Sequence, residues 1–142
     1  MLEEIIGVGI YSVLGIVLMI LGTFLVDLVI PCNFPEEIKR RNVAVGYIMA
    51  GASIAVGTIL KSCIMSPTVV DMIEEKLLDG LVSSIFYFVL GIVACIVGYL
   101  LISLFHKKYD LNKEIGEGNP AAGIMVFGLF VGLGIVISGV IY

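Results

Sequence analysis

The residues best placed to do chemistry in this chain come in matched pairs. Glu37-Ile38-x3-Asn42-x-Ala44-x-Gly46 recurs, 77 residues on, as Glu114-Ile115-x3-Asn119-x-Ala121-x-Gly123. An amide near membrane depth both donates and accepts, so two of them facing each other would suit an ion or a chain of waters. A ring of carboxylates at the same mouth would attract cations. Simpler chemistry fits the same residues. Asn119 precedes Pro120, the pattern of an N-cap followed by a first-turn proline. Asn42 falls inside a helix if that helix starts near Pro35, and would then bond between helices. Glu37 and Glu114 suit a helix start, where the backbone dipole favours negative charge. The four residues are therefore read as a candidate polar path or a structural pair.

Other chemistry is missing. The sequence has no Ser/His/Asp set, no phosphate-cradling G-x4-G-K-[ST] loop and no His-Glu-x2-His. Intramembrane enzymes need several ionisable groups within the bundle, and the apolar runs of this chain have none, so no enzyme is expected. His106 is the single histidine, and Cys32, Cys63 and Cys95 form no Cys-x-x-Cys. No metal site or cofactor is expected from such spacing. The three cysteines should lie at different depths and stay unpaired. A net charge of −4 and a pI near 4.8, with no basic stripe, argue against nucleic acid.

The elements that must position these residues are membrane helices. Of 142 residues, 60% are hydrophobic and 14% charged, with a mean hydropathy of +1.16. Soluble domains carry about a quarter charged residues. Positions 5–26, 43–60, 80–105 and 120–142 contain no Asp, Glu, Lys or Arg. Each run approaches the roughly 20 residues that cross a bilayer as a helix. A barrel would show alternation in place of continuous Ile, Val, Leu and Gly. The first run follows Glu3 and Glu4 and precedes no Ala-x-Ala site, so it is read as a retained helix rather than a cleaved signal.

Lys39, Arg40 and Arg41 occupy the first connection, and Lys107, Lys108 and Lys113 the third. The positive-inside rule places both in the cytoplasm and both termini outside. Asp27 is expected to pair with the basic residues of the short first loop, and Lys61 to snorkel from its helix end. Ser12, Thr23, Ser53 and Thr58 are expected to bond backbone within their helices. Between the halves, Ser66-Pro67 followed by Val69, Val70, Ile73, Leu77 and Leu78 reads as a short amphipathic helix over 65–79.

The helices themselves repeat. Tyr11–Gly22 matches Tyr87–Gly98 with eight of twelve positions identical. The chain is thus divided into repeat 1 (1–64), the connection (65–79) and repeat 2 (80–142). Each repeat crosses twice, so both enter from one side, and a pseudo-twofold axis along the membrane normal is expected. Gly15, Gly22, Gly91 and Gly98 form stripes two turns apart. Gly46 and Gly51 in the second span, and Gly123, Gly128 and Gly132 in the fourth, let backbones approach. These are read as helix-packing sites. The fold class is all-α integral membrane, four spans as two parallel two-helix repeats.

The pattern at Glu37–Gly46, and again at Glu114–Gly123 with its Gly118-Asn119-Pro120-Ala121-Ala122, resembles the YjfL-like membrane proteins (domain of unknown function 350). In that family, four short spans are built from two copies of such a unit, and an Asp-containing segment follows the first helix, as Asp27 and Asp110 do here. The resemblance implies a prokaryotic plasma-membrane location and a link to envelope stress. It implies no reaction and no site residues.

The expected partners are the lipid bilayer, further copies of the chain and a cytoplasmic protein. The matched polar pair favours a small oligomeric ion or solute channel or carrier. The alternative is a non-transporting adaptor or structural protein whose basic loops recruit the cytoplasmic partner.

Overall fold

The protein is described by a computed structural model covering residues 2–65, 75–105 and 108–141. Among the described residues six helices follow one another: α1 (Leu2–Val29), α2 (Phe34–Lys39), α3 (Val43–Met65), α4 (Glu75–Phe105), α5 (Leu111–Gly116) and α6 (Pro120–Ile141). Four of them are long and apolar enough to cross a membrane, over Ile5–Val29, Val43–Met65, Asp79–Phe105 and Pro120–Ile141. At 1.5 Å per residue, the 23 residues of α3 span about 35 Å, enough for the hydrocarbon core. The short helices α2 and α5 sit in the first and third connections, at one end of the bundle. Of the amphipathic connection expected over 65–79, positions 66–74 lie outside the described residues, as do His106 and Lys107, while Met65 ends α3 and 75–79 form the first turn of α4.

Why these runs pack as they do follows from the solvent. Lipid tails are as apolar as Leu, so no hydrophobic drive joins the helices, and close backbone approach must do it. The main association is α3 against α6. A Cβ placed on Gly123 would lie 2.5 Å from the Ala44 Cα and 2.6 Å from the Ala44 carbonyl oxygen. One placed on Gly51 would lie 2.9 Å from the Phe127 Cα, and one on Gly134 2.7 Å from the Ala55 Cα. Ser62 and Ser138 share a hydrogen bond farther along the same seam. The pairs run in the same order down both helices, so α3 and α6 are parallel.

Around this seam the larger side chains form two clusters. One holds Ile48, Ala52, Tyr99, Val126 and Phe130 and reaches down to the short helices. The other joins Leu18 of α1, Val56 and Leu60 of α3, and Phe88 and Ile92 of α4. Gly22 lets α1 approach that second cluster, with Ile92, Val56 and Phe88 within 3.1–3.3 Å of where its Cβ would be. Gly91 takes Ile59, and Gly98 takes Leu133 and Leu129. Gly15 is looser, with Leu60 at 3.8 Å. Thr23 and Thr58 each bond a backbone carbonyl one turn back. Outward, Val13, Ile20, Phe24, Phe86, Val93 and Leu104 face the lipid.

The repeats do not meet about a twofold axis. Twofold pairing would return each contact with its partners exchanged. Ala44 on Gly123 would bring Gly46 to Ala121, and Gly51 on Phe127 would bring Gly128 to Ala50. Instead, a Cβ on Gly46, Gly128 or Gly132 would meet nothing within 4 Å. Likewise α4 packs on α3, whereas α1 scarcely meets α6. The reason is that α3 and α6 use different faces. The Ala44, Ile48, Gly51 and Ala55 face of α3 lies against the Gly123, Val126, Phe130 and Gly134 face of α6. Overpacking a tight seam costs about 1–3 kcal/mol. Gly123→Ala is therefore expected to lower thermal stability in detergent clearly. Gly9→Ala, with open space around it, should leave stability unchanged or slightly raised.

Candidate functional site

Both matched motifs fold into the same short structure. In repeat 1, Asn33 caps α2 with φ −84° and ψ 102°, and in repeat 2, Asp110 caps α5 at the same angles. An Asn or Asp side chain at this position accepts the unpaired N–H groups of the first turn. Asn33 takes that of Glu36, and Asp110 takes those of Asn112 and Lys113. Each helix then ends after six residues. The Arg41 N–H bonds the Ile38 carbonyl at 3.0 Å, and the Gly118 N–H bonds that of Ile115 at 3.0 Å. Next, the Asn42 N–H bonds the Glu37 carbonyl and the Asn119 N–H that of Glu114, both at 2.9 Å. The turn needs a positive φ, which glycine supplies without cost at Gly118 (81°) and which Arg41 adopts at 61°.

The helix expected to start near Pro35 and to contain Asn42 is thus two helices with a turn between them. Asn42 stands just before α3 as Asn119 stands just before α6. Its Oδ1 accepts the Val45 N–H at 3.2 Å, and the Asn119 Oδ1 accepts the Ala121 N–H at 3.0 Å. Each amide also donates to its own glutamate, Asn42 to Glu37 at 2.8 Å and Asn119 to Glu114 at 2.6 Å. All four candidate residues therefore serve one local device. The amide caps a spanning helix and ties it to the short helix before it.

The two copies then part. Asn42 is buried, and its Nδ2 also donates to the Ile115 carbonyl of repeat 2 at 2.8 Å. Glu37 is buried beside it and is held by Arg40 at 3.2 Å. Asn119 and Glu114 instead line an open groove of about 410 Å³ with Tyr109, Ala121, Ala122 and Met125. Glu117 stands where repeat 1 has Arg40, and it pairs with Lys113 at the surface. The two amides do not face each other across an axis. Asn42 lies in the seam between the repeats, and Asn119 lies on the far side of repeat 2.

Asp27 also departs from expectation. Its carboxylate accepts the Phe34 N–H at 2.8 Å rather than an ion-pair partner. An unpaired amide at the start of α2 offers a fixed donor, whereas a flexible surface cation loses side-chain entropy when held. Asp27 thereby fastens the end of α1 to α2. Repeat 2 fastens the same corner differently, through a hydrogen bond between the buried Tyr99 hydroxyl and Asn112. Tyr99 gave no sequence signal beyond being one of two tyrosines, with Tyr87, in an apolar run. The three cysteines carry free thiols. Half-buried Cys32, in the first connection, has its pKa raised to about 11 by desolvation, then by the nearby Glu37 and Asp27 carboxylates. Among the described residues no cluster of His, Cys, Asp and Glu is arranged to hold a metal.

Residues 1–74 and 76–142 match the profile of the family described as Domain of Unknown Function (DUF350). The chain belongs to that family. The two matched ranges meet at the boundary between the two junction-bearing halves, so each DUF350 match carries one Glu-Asn device. A UPF0719 transmembrane protein of Aquifex aeolicus is 26% identical over 86% of this chain. The chain spans only 44% of that relative's length. The UPF0719 transmembrane protein YshE of Bacillus subtilis is 22% identical over 96% of this chain and 93% of its own. No solved structure matches this DUF350 chain. It is a multi-pass membrane protein, with four helices long and apolar enough to span and relatives named as transmembrane proteins.

The unequal burial of the two amides has a measurable effect. Removing a buried group that satisfies several partners costs about 1–3 kcal/mol, and an exposed cap about 1 kcal/mol. Asn42→Leu should lower the unfolding temperature in detergent distinctly more than Asn119→Leu. Equal losses would show that the Asn42 bond to Ile115 contributes nothing. The raised pKa of Cys32 keeps its thiol protonated at neutral pH, and the thiolate is the reactive form. Alkylation of Cys32 should be slow at pH 8 and keep rising with pH toward about 11, whereas an ordinary thiol levels off near pH 9 to 10.

Proposed function

We propose that the chain is a non-transporting structural or adaptor protein of the prokaryotic plasma membrane. The observation that carries this reading is the saturation of the Asn42 amide. Its oxygen and its nitrogen are used by Val45, Glu37 and Ile115. The helices that would flank a path between the repeats are instead in direct backbone contact at Ala44 and Gly123. A group that already satisfies the fold has nothing left to offer a passing ion. On this reading the junction end lies in the cytoplasm. Lys39, Arg40 and Arg41 are exposed there as a basic surface for a protein partner.

A second reading is a small oligomeric channel or carrier. The groove at Glu114 and Asn119 favours it, since that groove is open and presents an amide and a carboxylate together. Flux separates the two. Vesicles holding the purified full chain are expected to pass K⁺, Na⁺, Cl⁻ and protons no faster than empty vesicles. Selective flux that disappears in the Asn42→Leu, Asn119→Leu double variant would overturn the structural reading in favour of transport.

A further inference from the structure

The contact between the repeats is head-to-tail, and each of its two faces has an unused counterpart elsewhere on the same chain. Repeat 1 presents the Ala44, Gly51 and Ala55 face of α3, and repeat 2 covers it. The same face on α6 is Ala121, Gly128 and Gly132, and it is exposed. Repeat 2 presents Ile115, Gly123, Phe127 and Gly134 to make that contact. The same positions in repeat 1 are Ile38, Gly46, Ala50 and Gly57. Ile115 is 0% exposed, whereas Ile38 is 46% exposed. A Cβ on Gly46 would meet nothing within 4 Å. At Gly57 the flexible Met19 side chain of the same chain reaches to 3.3 Å from where a Cβ would be, and it must turn aside to admit a neighbour, while Ile38, Gly46 and Ala50 are open. A heterologous contact that leaves its complementary faces largely open is one that propagates between copies.

We propose that α6 of one copy packs on α3 of the next by the contacts that α3 and α6 make within one chain. Two features of the open faces fit that occupant. First, each contact inside the chain translates into a pair of small residues between copies. Ala44 on Gly123 becomes Ala121 on Gly46, Gly51 on Phe127 becomes Gly128 on Ala50, and Ala55 on Gly134 becomes Gly132 on Gly57. Small residues on both sides give the close approach that membrane helices need.

Second, the open ends are complementary in charge and hydrogen bonding. The groove is lined by Glu114 and Asn119, while the edge that would enter it carries the exposed Lys39 and Arg41, beside an Arg40 already held by Glu37. Asn42 spends one N–H on Glu37 and one on Ile115. Asn119 spends one on Glu114 and has no second acceptor among the described residues. The Ile38 carbonyl of the next copy stands where that acceptor belongs, and the Ile38 side chain fills the groove as Ile115 fills its equivalent. Arg41 of the next copy then lies beside Asn119, as Gly118 lies beside Asn42, whose Oδ1 would be 3.6 Å from a Cβ placed on Gly118. The second device is thus completed only by another copy. Because all copies share one bilayer, a head-to-tail contact of this kind closes into a ring or runs on as a curved row. The inference holds whether or not the assembly conducts, so its test is separate from flux.

Two single-cysteine chains test it, each lacking Cys32, Cys63 and Cys95 and each carrying its own tag. Ala50→Cys and Gly128→Cys, co-expressed in one membrane and oxidised, should give a disulfide-linked heterodimer. Either variant alone should give none. Crosslinks between like chains would show a twofold contact and overturn the proposal, and so would the absence of any crosslink in the mixture. Gly128→Leu gives a second readout. It should reduce the mass in mild detergent to one copy while leaving the unfolding temperature of that copy unchanged. An assembly mass that withstands Gly128→Leu would overturn the proposal as well.

Discussion

The close approach of α3 and α6 is the constraint on which the rest of the structure depends. In water a helix pair gains from hiding apolar surface, but in hydrocarbon that gain vanishes and only short-range packing remains. Glycine and alanine at alternating points of the seam let two backbones come together over the length of a bilayer. The larger residues are then pushed to the sides, where they meet α1 and α4. This explains why the core is thin along the seam and thick around Tyr99 and Phe130, and why α1 and α4 leave most of their large side chains to lipid.

The junction device solves a second problem that the seam creates. A chain crossing back through the membrane must begin each return helix with free N–H groups close to hydrocarbon, where an unsatisfied group is expensive. The Glu-Asn pair meets that need locally, with the amide oxygen accepting from the first turn and one amide hydrogen on the glutamate. Buried polar side chains in the described residues are all satisfied. The use of Asn42 to reach Ile115 adds a directional bond to a contact otherwise made by van der Waals packing. It sets the register of repeat 1 on repeat 2.

The sequence made the spans legible because charge and hydropathy are segregated so completely. It also made the paired devices legible, since the Glu-Ile-x3-Asn spacing persists where apolar helices drift. Other features were hidden for definite reasons. Spacing shows that Gly128 and Gly132 lie on one stripe, but not whether protein or lipid covers it. A repeat in sequence does not fix the symmetry of the contact, because each helix has several faces and the same residues appear on both copies. The break between α2 and α3 is hard to read in the sequence because Arg41 conceals the turn that Gly118 announces. Asp27 looked like a partner for cations because its true acceptor role is on a backbone amide, which no side-chain pattern records.

The position of α3 at the centre carries a consequence for how the protein is made. Half of its most apolar window is buried, against 11% for α1, and its mean hydropathy of 1.9 is the lowest of the four spans. It is therefore the helix least suited to lipid on its own and the one most reliant on neighbours. Its principal neighbour is α6, which leaves the ribosome well after it. During synthesis α3 must wait in the bilayer with its small-residue face uncovered while nearly eighty further residues emerge. In that interval the face is open to any passing helix of the right shape, including α6 from an earlier copy. Translation order thus sets up a competition between folding within one chain and exchange between chains. The short tether of α2 and the α1 contacts hold α3 in place until its own partner arrives.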